Sequence, residues 1–177
     1  YLHHLGEVTY FSPLADTSLP DAGFVYLPGG YPELYLAALS ANRLMLQSIR
    51  RYVENGGKLL AECGGMMYLC DEIRDKNGDV YPMAGVLHQS ATMENMKLRL
   101  GYRTLLYNDA RLKGHEFHYS RLVEQQDPLP SCAVAYTAKG VETDTPLYHY
   151  KNVWAGYTHL YWADPAGNDW FTKFIIK

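Results

Sequence analysis

The first half of the chain alternates buried-strand patterns with helical ones. The run Phe24–Leu27 is continuously apolar, as in a strand covered on both faces, and Pro28–Gly30 ends it. A helix is predicted next, because apolar residues recur at i, i+4, i+7 and i+8: Met45, Ile49, Tyr52 and Val53. Lys58–Glu62 is the next predicted strand, and it is followed directly by Cys63-Gly64-Gly65 and the helical run Met66–Leu69. This order predicts an α/β fold with a parallel sheet.

The second half is dominated by strand patterns. The predicted strands lie within Met96 to Tyr107, Gly114 to Leu122, Cys132 to Thr137 and Tyr148 to Tyr161. Turn residues at Asn108-Asp109 and Asp127-Pro128 separate them, so antiparallel strands added to the parallel sheet are expected. A further short strand is predicted at Glu7 to Phe11, and a last helix at Asp169 to Ile176.

Composition narrows the class of protein. The 177 residues are 47% hydrophobic and carry a net charge of −3, from 16 Lys+Arg and 19 Asp+Glu, which fits one folded domain. Without a basic cluster, no nucleic-acid surface is expected. Three cysteines without CxxC spacing argue against a disulfide scaffold and a structural zinc site, and we expect no metal. No apolar run reaches the roughly 18 residues of a membrane span, so a cytoplasmic, membrane-free protein is expected.

Cys63 is the first candidate for chemistry. A residue between a strand end and a helix start, followed by two glycines, has the layout of a nucleophile elbow. Backbone N–H groups at a helix start favour a thiolate, and the N–H of Gly64 could stabilise an oxyanion. A second donor could come from Gly29 or Gly30, in the loop that ends the neighbouring strand. The alternative is that Cys63 is a small buried apolar residue.

A nucleophilic cysteine needs a base, and seven histidines compete for that role. Strand alternation in Gly114–Ser120 places Glu116, His118 and Ser120 on one face and His115, Phe117 and Tyr119 on the other. The spacing His-Glu-x-His on a strand excludes the helical HExxH zinc motif. On composition alone, His159 and His118 have equal claims to be the base.

Five sequence segments together resemble those of a known protein family. They are Phe11-Ser12-Pro13-Leu14 with Asp16, Pro28-Gly29-Gly30-Tyr31-Pro32-Glu33, Ala61-Glu62-Cys63-Gly64-Gly65-Met66-Met67-Tyr68-Leu69, Gly114-His115-Glu116-Phe117-His118-Tyr119-Ser120 and Tyr157-Thr158-His159-Leu160. In this order, they resemble the glutaminase domain of the cobyrinic acid a,c-diamide synthase family. The resemblance implies that residues 1–177 form one class I glutamine amidotransferase domain, a three-layer sandwich with a mostly parallel central sheet and added antiparallel strands.

The resemblance also implies roles for individual residues. Cys63 would be the nucleophile and His159 its partner. The oxyanion and glutamine-binding residues would be Gly29, Gly30, Gly64, Phe117, His118 and Tyr119. Many class I amidotransferases have a Glu two residues after the His, but that position is Tyr161 here. The group that orients His159 is therefore open, and Glu116 is one candidate, a solvent-facing or salt-bridged Glu being the other interpretation of that residue.

The implied partners lie outside this sequence. Glutamine would be the substrate, and the ammonia would pass to an N-terminal synthetase domain that amidates acetate side chains of a corrin ring. No phosphate-binding GxxxxGK[ST] loop is present, so ATP and Mg²⁺ are expected in that domain and no cofactor in this one. The family's first glutaminase strand would precede Tyr1, and a homo-oligomer is possible. Two alternatives stay open: another acceptor, such as nickel-sirohydrochlorin, and a catalytically silent interaction domain.

Overall fold

A computed structural model describes residues 1–176 as thirteen strands and five α-helices. The strands are β1 (Phe24–Leu27), β2 (Lys58–Glu62), β3 (Glu72–Arg74), β4 (Val80–Pro82), β5 (Ser90–Thr92), β6 (Arg99–Tyr107), β7 (Ala110–His118), β8 (Arg121–Leu122), β9 (Val134–Thr137), β10 (Glu142–Thr143), β11 (Leu147–Tyr150), β12 (Val153–Gly156) and β13 (His159–Leu160). The helices are α1 (Leu2–Leu5), α2 (Leu36–Ala41), α3 (Arg43–Glu54), α4 (Gly64–Leu69) and α5 (Pro165–Ile176), with a 3-10 turn at Pro32–Leu34. None of these helices is long and apolar enough to cross a lipid bilayer.

The central sheet has the strand order β1-β2-β12-β11. β1, β2 and β12 run parallel, and β11 is the antiparallel strand that extends the sheet. The parallel strands are short and almost entirely apolar because both faces of the sheet are covered. The parallel α/β core predicted from the sequence is thus confirmed.

Alternate side chains of the central strands enter two separate cores. Val25, Leu59 and Ala155 pack on one side against α2, α3, α4 and the small sheet β4-β3-β5-β8. Leu60 and Trp154 pack on the other side, against α5 and the inner face of a second sheet. This arrangement makes three layers, with the central sheet in the middle, and it agrees with the expected fold class.

The second sheet is antiparallel and has the order β10-β9-β6-β7-β13. Its centre is a hairpin of two nine-residue strands, β6 and β7, whose inner residues Leu105 and Leu112 are fully buried. β13 pairs with β7 in a register that places His159 opposite His115. Burying one face of this sheet against the central layer explains why these strands form a layer of their own and do not extend the central sheet.

Several predicted boundaries change in the structure. The predicted strand at Glu7 to Phe11 is wrong: the segment has no strand structure, although Phe11 packs against the first core. The predicted run 148–161 is three strands, because a turn at Lys151, with a φ of 51°, and another before His159 interrupt it. β3, β4 and β5 were not predicted, since three residues are too few to show a period.

The start of α4 packs directly on the backbone of the last residue of β1. A Cβ atom built on Gly65 would lie 2.3 Å from the carbonyl oxygen of Leu27, which real contacts do not allow. We expect Gly65→Ala to lower the free energy of unfolding by about 1–3 kcal/mol, as overpacking does. Gly23→Ala is the matched control, because no atom lies within 4 Å of its added Cβ, and it should stay within about 0.5 kcal/mol of wild type. Urea denaturation of both variants would show whether the elbow tolerates a methyl group.

Candidate active site

Cys63 occupies the sharp turn between β2 and α4. Its backbone has a φ of 50° and a ψ of −114°, a strained conformation for a residue with a side chain. The turn is held by a hydrogen bond from the Cys63 N–H to the Gly156 carbonyl, at 2.8 Å, so β12 fixes the nucleophile candidate from the neighbouring strand. The elbow expected from the sequence is therefore present in the backbone.

The glycines after Cys63 allow the loop that follows β1 to cross the elbow. A Cβ on Gly64 would lie 2.6 Å from the Gly30 carbonyl oxygen and 2.7 Å from Pro32 Cδ. Gly29 has a φ of 109°, in the region that favours glycine, and a Cβ there would lie 3.4 Å from that of Cys63. The structure thus places Gly29, Gly30 and Gly64 around Cys63.

His159 reaches Cys63 from the second sheet. The same hypothetical Cβ on Gly29 would lie 3.0 Å from His159 Cε1, so the two side chains converge over this glycine. Gly114, on β7, must lack a side chain for β13 to approach, because its Cβ would lie 2.2 Å from the His159 carbonyl oxygen. The Cys63 side chain, and then the Glu62 carboxylate, raise the pKa of His159 to about 9.

The carboxylate beside His159 is Glu62, the residue that precedes the cysteine. His159 Nδ1 lies 3.5 Å from Glu62 Oε2, which also accepts a 2.7 Å hydrogen bond from the Tyr26 hydroxyl. Glu62 Oε1 accepts a 3.0 Å bond from the Leu160 N–H, which ties the carboxylate to β13. With Nδ1 facing Glu62, Nε2 is the ring nitrogen left for Cys63 and a substrate.

Glu62 was not predicted as the orienting group, although the register contains a signal. β2 and β12 are parallel, and Glu62 is opposite Gly156, three residues before His159. Parallel strands end at the same edge of a sheet, so a buried Glu at the end of β2 lies near whatever follows β12. From the sequence, the orienting carboxylate was expected either two residues after His159, where Tyr161 stands, or at Glu116.

Glu116 does not orient His159. It is fully buried on the inner face of β7, where Arg103 Nη2 lies 3.0 Å from its Oε2 and Thr158 donates a 3.2 Å hydrogen bond. Burial opposes ionisation, but hydrogen bonds from His118 and Thr145, together with the Arg103 charge, hold the pKa of Glu116 below its usual value. The salt-bridged interpretation of Glu116 is the correct one.

A narrow cavity opens beside Cys63. Its wall is formed by Gly30, Tyr31, Glu33, Cys63, Met67, Met93, Phe117, His118, Tyr119 and Ser120. Phe117, His118 and Tyr119 therefore lie on the cavity wall, whereas Gly29, Gly64 and His159 adjoin Cys63 without lining the cavity. His118 is not a second base: its ring stacks on Tyr157 at 3.8 Å, and its Nδ1 is 2.9 Å from the Ser120 carbonyl oxygen.

Within residues 1–176, no three His, Cys, Asp or Glu side chains are grouped as metal ligands.

Comparison with known proteins agrees with this geometry. Residues 2–167 match the family described as the CobB/CobQ-like glutamine amidotransferase domain. The chain belongs to this family. It is 39% identical over 166 residues to the hydrogenobyrinate a,c-diamide synthase of Pseudomonas aeruginosa, which covers 90% of this chain and 36% of that protein. It is 40% identical over 167 residues to the cobyrinate a,c-diamide synthase of Fusobacterium nucleatum, covering 91% and 37%. The amidotransferase domain thus spans little more than a third of these relatives.

The raised pKa of His159 links the stability of the amidotransferase domain to pH. Its ordinary pKa of 6.5 rises to about 9 on folding, so the folded state binds the proton more tightly than the unfolded chain. This contribution to stability is complete below about pH 6.5 and is lost as the pH rises through about 9. At neutral pH, His159 is therefore an imidazolium beside the Cys63 side chain.

The Glu62→Gln variant tests which carboxylate acts on His159. Removing the charge should lower the pKa of His159 by roughly one pH unit or more, because an adjacent carboxylate favours the imidazolium. The measurement is an NMR titration of the His159 ring protons, with Glu116→Gln as the comparison variant and a backbone spectrum as the check of folding. We expect Glu116→Gln to leave the pKa of His159 unchanged. The reverse pattern would contradict the assignment of Glu62.

Proposed function

We propose that this domain hydrolyses glutamine through a thioester on Cys63. The observation that carries the proposal is the convergence of Cys63, His159 and Glu62 at a strained elbow beside a cavity. Nucleophile, base and orienting carboxylate are the three groups that acyl transfer through a cysteine requires. Glutamine carries the carboxamide that such a site attacks.

The reaction begins with attack of the Cys63 sulfur on the side-chain carbonyl carbon of glutamine. The carbonyl electrons move onto oxygen, and N–H groups of Gly64 and of Gly29 or Gly30 stabilise this oxyanion, each donor contributing about 2.7–4 kcal/mol. The His159 imidazolium protonates the amide nitrogen, and ammonia leaves as the carbon–nitrogen bond breaks. Neutral His159 then takes a proton from water, the resulting hydroxide attacks the thioester, and the products are glutamate and the Cys63 thiolate beside the restored imidazolium. The sum is glutamine plus water giving glutamate plus ammonia.

Glu62 supports the active interpretation of the domain over the silent one. The rival interpretation relied on Tyr161 standing where many class I amidotransferases have a Glu. A buried carboxylate on β2 contacts His159 Nδ1 instead and can hold the ring in the same orientation. The missing Glu is therefore no reason to consider the site inactive.

The amino-acid part of glutamine is assigned to other residues of the cavity wall. The strand end Phe117–Tyr119 lies along the cavity wall, where its backbone can hold the amino-acid part of the substrate. Glu33 contributes an acidic side chain to the cavity wall, and burial raises the pKa of this carboxyl group. The α-ammonium group of glutamine is a suitable partner for this carboxylate, because the pairing compensates for burying the charge.

The ammonia is proposed to serve an amidation by another part of the enzyme. The relatives named above are a,c-diamide synthases, and the matched region covers only 36–37% of them. We assign the two acetate groups a and c of cobyrinic acid as the acceptors, in a synthetase domain that uses ATP and Mg²⁺ in the cytoplasm. That domain supplies the activation of the carboxylates, and this chain supplies the nitrogen.

The Cys63→Ala variant tests the proposed glutaminase in the full enzyme. Removing the nucleophile should lower glutamine hydrolysis by about 10⁴-fold or more. Amidation fed with ammonium chloride should persist, because it bypasses Cys63. Cys132→Ala is the matched control and should keep wild-type hydrolysis, since this half-buried cysteine lies away from the cavity wall. Wild-type hydrolysis by Cys63→Ala would refute the thioester mechanism.

The Glu33→Gln variant tests how the substrate is bound. Loss of a charge-assisted hydrogen bond should raise KM for glutamine by about 10- to 100-fold. The comparison substrate is 4-carbamoylbutyrate, which is glutamine without its α-amino group. If Glu33 binds the ammonium, the variant should lose the preference for glutamine over this analogue, with no further loss on the analogue itself. An equal loss on both substrates would mean that Glu33 only shapes the cavity.

A further inference from the structure

The outer side of the β6–β7 hairpin exposes a set of large apolar and aromatic side chains. We call it the hairpin face and define it by Leu100, Tyr102, His115 and Phe117. The register pairs Leu100 with Phe117 and Tyr102 with His115, so the four side chains are immediate neighbours. Leu100, Tyr102 and Phe117 are 62%, 74% and 42% exposed, whereas Leu105 and Leu112 on the inner side are fully buried. The hairpin thus has one face in the core, and on its outer side the hairpin face is an exposed, mostly apolar patch.

The hairpin face is continuous with the proposed glutaminase site on two sides. Phe117 belongs both to the face and to the wall of the Cys63 cavity. His115 stacks on His159, with ring centroids 5.2 Å apart and an interplanar angle of 22°. A molecule that covered this face would therefore also cover the surroundings of the histidine that releases ammonia.

Ammonia imposes a condition on this surface. In water it takes up a proton, and ammonium has no lone pair with which to attack an activated carboxylate. Unless a large excess of ammonium is supplied, the nitrogen must therefore pass to its acceptor before it reaches bulk solvent. Whatever holds the acceptor must then cover the surface around the exit. Contiguous exposed apolar patches on soluble proteins mark such interaction sites.

We propose that the hairpin face is the docking surface for the acceptor-activating part of the enzyme. This inference rests on the proposed function. The partner is the portion of the relatives outside the matched region, roughly two thirds of their length, since this chain spans 36% of one and 37% of another. A second copy of this chain is a poorer occupant, because it would bring another ammonia source to the exit and no acceptor.

The first arm of the test measures coverage without using activity. In the full enzyme, the thiol introduced by Leu100→Cys is labelled with a maleimide, and the rate is read by peptide mass spectrometry. Leu44→Cys is the matched control, because Leu44 is the same residue type, is 60% exposed and lies on α3, across the central sheet. We expect labelling at position 100 to be at least about tenfold slower than at position 44. Equal rates would overturn the proposal, and so would protection that disappears when a homo-oligomer dissociates on dilution.

The second arm measures delivery of ammonia. Leu100→Glu and Tyr102→Glu place a charge in the centre of the face, with Leu44→Glu as the control. We expect the number of glutamines hydrolysed per amide formed to rise about tenfold or more in both face variants, as charges do in an interface core. Glutamine hydrolysis and ammonium-fed amidation should stay within about twofold of wild type, and the control should keep the wild-type ratio.

The outcomes of the two arms separate this proposal from the proposed function. An unchanged ratio in both face variants would overturn the docking surface. If wild type fails to hydrolyse glutamine, the proposed function is wrong, and the labelling rates alone still decide whether the face is covered. Leu100 and Tyr102 have different neighbours, so one face variant can misfold without the other. Misfolding would be seen as a loss of ammonium-fed amidation, and the remaining variant would then test the docking surface.

Discussion

The constraint on which the site depends is the backbone of Cys63, held in the left-handed region between β2 and α4. Such a conformation is kept only where surrounding structure determines it fully. Here β12 accepts the Cys63 N–H, and Gly64 and Gly65 let the backbone of Leu27–Pro32 cross the turn at contact distance. The parallel pairing of β1, β2 and β12 makes these contacts possible, so the order of the central sheet determines where the Cys63 sulfur lies.

Sequence patterns predicted the parts of the site that local geometry determines. Cys63 follows from a strand, a pair of glycines and a helix, and Phe24–Leu27 and α3 follow from apolar runs and periodicity. The choice between His118 and His159 did not follow from composition, because it depends on which strand pairs with which. Only the register of β13 on β7 places His159 near the elbow, and the family resemblance supplied that choice in advance.

Glu116 and Glu62 both show that the partners of a buried carboxylate cannot be read from one sequence. Alternation along β7 predicted the face of Glu116 but could not reveal that Arg103 lies across from it on β6. Glu62 was regarded as the last residue of a strand, although its carboxylate accepts bonds from β1 and β13. Pairwise contacts between strands distant in sequence decide the role of a buried charge, and one sequence does not record them.

The adjacency of Glu62 and Cys63 has a mechanical consequence. Two of the three groups share one peptide at the end of a buried central strand, so they move as a rigid unit. His159 belongs to a two-residue strand at the edge of another sheet, where local opening costs the least free energy. The site thus has one half built on the central sheet and one half carried by a short edge strand, so the alignment of His159 with Cys63 depends on the pairing of β13 with β7.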